Sequence, residues 1–344
     1  MRKIMEKTNF NHPLNYGLLV ILLLPALSIA TELKLVADKW PPFTSKKQGQ
    51  RIAVDLVEQA LKRAEIKSQV NIVEWKTVLK GVKSGEYDAI VGAWKNFERE
   101  KFLLFSRPYL QNRVLLVGRT DNKLSAIEIS QLENKRIGIV DGYAYGESIL
   151  DNSKIIKVKG ATVAENIRQL LDNKVDFILM DSIVAQNLKQ VLPEEIKNKL
   201  VVYPNVVVAQ NLHFAVRRDY PGAAALLDKF NNAIRDMIAD GSYNRILGFD
   251  WLVADTDNDG VDEYIIGDQL RSKAEDPAGS ENSYALFSEK QGDDIKPVRK
   301  YRVLNLEYNS WGEAQQAINK AQETGTLQYE NKTSDAINLF SGKF

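Results

Sequence analysis

Between Leu33 and about Leu252 the chain alternates short apolar runs with segments whose apolar residues recur at helical spacing. Leu33–Ala37 reads as a strand, Ile52–Arg63 as a helix, Val70–Val73 as a short strand, Val78–Lys83 as a helix and Asp88–Gly92 as a buried strand. A second cycle follows through Arg136–Val140, Ala161–Leu171 and Asp176–Met180, again strand, helix, strand. Short apolar runs suit strands covered on both faces, and a three-to-four-residue repeat suits a helix with one buried face. This order predicts an α/β protein of parallel sheets covered by helices, with ligands bound beyond the carboxyl ends of the strands. The residues just after the strands are therefore the candidates for chemistry. No glycine-rich phosphate loop of either common type is among them, which argues against a nucleotide.

The two ends of the chain break this pattern. Arg2, Lys3 and Lys7 precede an apolar run of about 14 residues, Gly17–Ala30, short of the roughly 20 that span a bilayer. With small residues at Ser28 and Ala30, residues 1–30 read as a secretory signal peptide cleaved before Thr31, so the expected location is the periplasm. The chain has no cysteine, which excludes disulfides, thiolate metal sites, a cysteine nucleophile and a lipid anchor through an N-terminal Cys. Of its two histidines, His12 lies in the signal and His213 lies in the strand-like Leu212–Val216, where it reads as structural rather than catalytic. From Val253 onward 17 acidic residues face 10 basic ones, a net −7, and the preceding mature segment carries about +6. That asymmetry predicts two units, and no basic block with interleaved aromatics suggests nucleic acid.

Several segments after the strands carry a resemblance. They are Trp40-Pro-Pro-Phe43, Val54-Asp-Leu-Val-Glu-Gln-Ala60, Trp75, Ser84–Gly92, Glu98-Arg-Glu-Lys101 and Phe105-Ser-Arg-Pro-Tyr109, then Lys135–Gly142, Val175–Asp181 and Ala239–Arg245. In this order and at this spacing the chain resembles the bacterial extracellular solute-binding proteins of the polar amino-acid type, family 3. The resemblance implies a two-lobed periplasmic-binding-protein fold of type II, with two crossover strands. It places lobe 1 at about 32–111 and 212–252, lobe 2 at about 112–211, and the hinge near Arg113–Val117 and Val206–Ala209. It also implies that Arg99 grips the ligand carboxylate and that Asp181, from the other lobe, accepts the ligand ammonium. A desolvated zwitterion needs both partners, because an unpaired charge in a closed cleft is costly, and the planar arginine fork suits a carboxylate. Trp40 and Trp75 fall where the family sets aromatic walls, on predicted loops, with Trp94 just beyond a strand end. Where the family commonly has a small hydroxyl residue this chain has Trp94, and in place of a Gly-Ser-Thr-like turn it has Gly142-Tyr-Ala-Tyr145. The bulk of Trp94, Tyr143 and Tyr145 predicts a shrunken or reshaped pocket and leaves the ligand open among a small amino acid, a modified one and another carboxylate-bearing solute.

About 92 residues follow Leu252, and 253–344 is expected to form a small α+β extension. It opens on Asp255-Thr-Asp-Asn-Asp-Gly-Val-Asp-Glu263. Carboxylates at Asp255, Asp257, Asp259 and Glu263, a glycine for the turn and the Val261 carbonyl make the donor set of a Ca²⁺ loop. Ile266 stands where a full EF-hand has glutamate, so the loop resembles those of FG-GAP and thrombospondin type-3 repeats instead. Strands are predicted at Tyr264–Ile266, Tyr284–Phe287 and Tyr301–Leu306, a flexible polar stretch at Arg271–Asn282, and a helix after Ser310. The leading function is a monomeric binding protein that closes on a small polar solute and hands it to the membrane subunits of an ABC transporter, or signals its presence. The alternative is a periplasmic enzyme on the same scaffold, of the cyclohexadienyl dehydratase kind, with Lys95, Asp141 and Glu147 as its acid–base candidates. A calcium-organised adhesion component is the third reading.

Overall fold

The computed structural model describes residues 32–47, 51–122, 129–256, 261–271, 273–278, 283–286 and 300–329. The first half of the chain supplies β1 (Leu33–Asp38), α1 (Ile52–Arg63), β2 (Ser68–Val73), α2 (Trp75–Ser84), β3 (Ala89–Trp94), α3 (Phe97–Glu100) and β4 (Leu103–Phe105). A long strand, β5 (Leu110–Arg119), leads into β6 (Arg136–Val140), α4 (Glu147–Leu150), β7 (Ile156–Gly160), α5 (Val163–Leu171), β8 (Phe177–Asp181), α6 (Ser182–Val191) and α7 (Glu194–Lys197). The still longer β9 (Leu200–Arg217) returns, followed by α8 (Ala223–Ala239) and α9 (Ser242–Leu247).

These strands form one sheet in the order β2-β1-β3-β9-β5-β8-β6-β7, with β4 beside β9. Parallel pairs lie at both ends, β1 with β2 and β3, and β6 with β7 and β8. Between them β9 runs antiparallel to both β3 and β5, and β5 antiparallel to β8. β5 and β9 are the two crossover strands, and the parallel sets they join are the cores of two lobes. The expected type II fold is what the chain adopts. Each lobe forms for local reasons. α1 buries Ala53, Val54, Leu56, Val57, Ala60 and Leu61 on one face, the stripe an amphipathic helix lays on a sheet. α5 is capped by the Thr162 hydroxyl, which accepts from the Glu165 N–H, while the Glu165 carboxylate accepts from Ala161 N–H at 2.7 Å.

Three details differ from the sequence reading. α2 begins at Trp75 rather than Val78, and β3 runs through Trp94, so neither tryptophan lies on a loop. The stretch Tyr301–Leu306 is not one strand: β14 (Lys300–Val303) turns back at Leu304-Asn305 into β15 (Leu306–Tyr308). Both turn residues have positive φ, 50° and 66°.

The extension also contains β10 (Trp251–Ala254), β11 (Glu263–Ile266), β12 (Gln269–Leu270), β13 (Ser283–Ala285), α10 (Trp311–Glu323) and β16 (Gln328–Tyr329). Its sheet has the order β13-β10-β11-β14-β15. Alternate residues of β10 and β11 serve two cores. Leu252, Ala254 and Ile265 join the main core, whereas Trp251, Val253, Tyr264 and Ile266 join a second core under α10. The sequence-based boundary at Leu252 therefore falls inside a strand that both cores share. The extension also meets the start of β5: the buried Tyr284 donates its hydroxyl to the Gln111 carbonyl, and the Arg113 guanidinium lies 4.9 Å from the Tyr284 ring.

Candidate functional site

β1 and β3 end side by side in lobe 1, and their last residues, Asp38 and Trp94, face the cleft. Trp40 follows β1 in a tight turn closed by a Trp40 N–H bond to the Thr44 carbonyl at 2.8 Å. Trp75 is the first residue of α2. Arg99 is held in α3, whose first turn is capped by Asn96 accepting from the Arg99 N–H at 2.9 Å. From lobe 2 comes the turn after β6, with Gly142 at φ +80°. A Cβ there would sit 3.2 Å from Trp75 Cδ1. The left-handed backbone favours glycine, and a side chain there would crowd the Trp75 indole.

The two lobes meet at the Gly142 carbonyl. It accepts the Trp75 indole N–H at 3.0 Å and an Arg99 N–H at 3.0 Å. Arg99 also donates to the Trp94 carbonyl, and its guanidinium carbon lies 4.8 Å from the centre of the Trp75 ring. Tyr143 reaches across from lobe 2 into the middle. Its ring centre is 5.9 Å from Trp40, 5.7 Å from Trp75 and 5.4 Å from Trp94, each edge to face, the arrangement that aromatic quadrupoles favour. Its hydroxyl donates to Asp38. The cavity between these groups measures ≈ 20 Å³ and is lined chiefly by Asp38, Trp40, Trp75, Trp94, Arg99 and Tyr143, space for about one water.

Burial sets the electrostatics. It lifts the Asp38 carboxyl to about 6, against the pull of the Tyr143 hydroxyl and the Arg99 charge. It lowers Arg99 to about 10 and raises the Tyr143 phenol well above its ordinary value, with the neighbouring Asp38 adding to the rise. The charges that remain are thus opposed and close, a carboxylate and a guanidinium in a wall of indoles.

Asp181 is placed differently. One of its oxygens caps α6, accepting from Ile183 N–H at 2.8 Å and Val184 N–H at 3.3 Å, and the other accepts from the Asn112 amide at 3.1 Å. Asn112 in turn accepts the Trp94 indole N–H at 2.8 Å. Asp181 therefore stands behind the cavity wall, tied to it through Asn112, and burial raises its carboxyl to about 6. The structure brings Trp40, Trp75, Trp94, Arg99, Gly142 and Tyr143 together at one cavity. Sequence reasoning missed Asp38 and Asn112. The position of Asp38 at the carboxyl end of β1 was the available signal, because ligands of parallel sheets bind there.

The acid–base candidates lie elsewhere. Lys95 pairs with Glu100 at 2.8 Å, Asp141 lies between Lys76 and Lys159 at 3.0 Å each, and Glu147 opens α4; none lines the cavity. His213 donates Nδ1–H to the Ser106 carbonyl at 2.8 Å, and burial lowers its pKa. Of the calcium-loop residues, Asp257 and Asp259 lie outside the described residues, and Asp255 and Val261 flank them. Glu263 is fully buried and accepts from the Thr256 hydroxyl at 2.6 Å and from Arg302 at 2.9 Å. That guanidinium competes with any cation for the Glu263 carboxylate. Among the described residues no group of three or more His, Asp or Glu is placed to hold a metal, and no helix is long and apolar enough to cross a membrane.

The sequence profile of the bacterial extracellular solute-binding proteins, family 3, matches residues 33–248. ABC transporter arginine-binding protein 1 of Escherichia coli K12 is 25% identical over 217 residues, covering 61% of this chain and 86% of its own. The L-cystine-binding protein TcyJ of the same organism is 23% identical over 224 residues, covering 63% and 80%. A solved mutant of the T. maritima protein ArgBP superposes with a TM-score of 0.54 at 19% identity, covering 63% of this chain and 93% of that one; at that identity the likeness bears on the fold.

Proposed function

The chain belongs to the bacterial extracellular solute-binding proteins, family 3, and from that premise we propose that it captures a small amino-acid-like solute between its lobes outside the cytoplasmic membrane and hands it to an ABC transporter. The observation that carries this reading is the cleft itself. Arg99 and Asp38 of one lobe face Gly142–Tyr143 of the other, with three indoles as walls and opposite charges at hand for a zwitterion. A closed state contacted from both lobes is what a ligand with groups for each lobe would select. Binding without turnover fits the relatives, which are arginine- and cystine-binding proteins. The basic, apolar, small-residue order of 2–30 supports export.

A thermal-shift screen against amino acids tests the reading. A solute bound only by the native state at a hundredfold excess over Kd adds about 2.7 kcal/mol of stability. Arg99→Ala is expected to abolish the shift. No rise in Tm with any amino acid would sink the reading.

For the extension, we retain calcium at Asp255, Asp257, Asp259 and the Val261 carbonyl, with Glu263 committed to Arg302 and Thr256. A rise in Tm on adding calcium but not magnesium is the expected result. Equal Tm values would dismiss it.

A further inference from the structure

Tyr143 does something no wall residue needs to do. It leaves its own lobe, fills the centre of the cleft and donates a hydrogen bond to a buried carboxylate of the other lobe. The cavity left beside it has room for about one water, so a solute of amino-acid size and Tyr143 cannot share that place. What surrounds the phenol is suited to something else. Three indoles ring it with their planes steep to its own, one of them, Trp75, already carrying the Arg99 guanidinium over its face, and a carboxylate stands at one end. Aromatic walls of that kind attract cations, and a buried carboxylate requires a partner. A phenol supplies Asp38 with a dipole; a cation would supply it with a charge.

Resting on the capture reading above, we propose that Tyr143 is a built-in stand-in for the solute. Its phenol holds, at Asp38 and between Trp40, Trp75 and Trp94, the place that an ammonium or guanidinium group of the solute takes. The solute group is of the N–H type because what Asp38 accepts here is a donated hydrogen, and a quaternary ammonium has none to give. Arg99 spends named donors on the Trp94 and Gly142 carbonyls, and a guanidinium has five, so others remain for a solute carboxylate. The route out for Tyr143 is also present. Its turn, between β6 and α4, is bracketed by Gly142 and Gly146 at φ +80° and +88°, residues that tolerate backbone rearrangement.

Isothermal titration of the full chain with L-arginine, L-lysine, L-glutamine and glycine betaine tests this. Tyr143→Phe keeps the ring and removes the competing hydroxyl, so arginine or lysine should bind about tenfold more tightly than to the wild type. Asp38→Asn should weaken the same solute on the order of a hundredfold. Equal or weaker binding of the cationic solutes by Tyr143→Phe overturns the proposal, and so does unchanged binding by Asp38→Asn. Betaine binding above arginine and lysine would overturn the assignment of an N–H cation. Glutamine bound with an affinity that neither Tyr143→Phe nor Asp38→Asn changes leaves capture standing and the stand-in wrong. If none of the four binds the wild type or Tyr143→Phe, the capture reading fails first and the proposal with it. Should Asp38→Asn fail to fold, Tyr143→Phe still decides.

Discussion

Asp38 ends β1 two residues before Trp40, with the Tyr143 hydroxyl, the Thr44 side chain and the Arg99 charge facing it. Its carboxyl is lifted from 3.8 to about 6, so over that window the native state holds a proton that the unfolded chain has lost. Stability from this group is therefore complete below about 4 and is lost as pH rises through about 6. Asp38→Asn is expected to flatten the pH dependence of the urea midpoint in that window, leaving the parallel contribution of Asp181. Affinity for a cationic solute runs the other way: it should fall as pH drops below about 6, because the solute needs the ionised carboxylate, and titrations on either side of that value check it. Asn112 is fully buried between Trp94 and Asp181. Asn112→Leu strands the Trp94 indole N–H and one Asp181 oxygen, while the other oxygen keeps its α6 cap, and a loss of about 1–3 kcal/mol per stranded group is expected in denaturant unfolding. The contrast between Arg99 and Asp38 shows what sequence can carry. Arg99 stands inside a Glu-Arg-Glu-Lys segment whose spacing from Trp75 and Trp94 matches a known pattern. Asp38 is a single acid at a strand end, and only the arrival of Tyr143 from a residue 105 positions away gives it meaning.

At the scale of elements, what was legible followed hydrophobic period, and what was not followed its interruptions. β1, α1, β6 and β8 were plain because their apolar residues repeat without a break. β9 runs for 18 residues, yet Pro204-Asn205 and Gln210-Asn211 divide it in the sequence into separate apolar pieces. Pro204 falls where the β5–β9 register is irregular, one of the places a strand tolerates proline. The Leu304-Asn305 turn hid for a different reason. A leucine seldom takes φ of 50°, since its side chain then crowds the backbone, so Val303-Leu-Asn-Leu306 reads as continuous strand. Leu304 is 41% exposed, and little packing opposes its replacement. Leu304→Asn is expected to raise the unfolding free energy by up to about 1 kcal/mol, read from the urea midpoint. A lower midpoint would mean that this leucine packs against something in the extension after all.

For the molecule as a whole, the shared strands matter most. β10 and β11 present one row of side chains to the main core and the other to the core under α10, so neither core can open without baring the other's floor. Calorimetry is expected to show a single unfolding transition for the extension and the lobe it abuts; two separated transitions would refute the coupling. The asymmetry of charge suggested two units, but charge lies on surfaces and says nothing about a common interior. The indoles divide along the same line. Of the five tryptophans, Trp40, Trp75 and Trp94 surround Tyr143, while Trp251 and Trp311 lie 6.1 Å apart in the extension. The protein thus carries its own optical probe. Departure of Tyr143 changes the polarity and ring contacts of three emitters at once and leaves the distant pair as an internal reference, so the intrinsic emission spectrum records the cleft without any label.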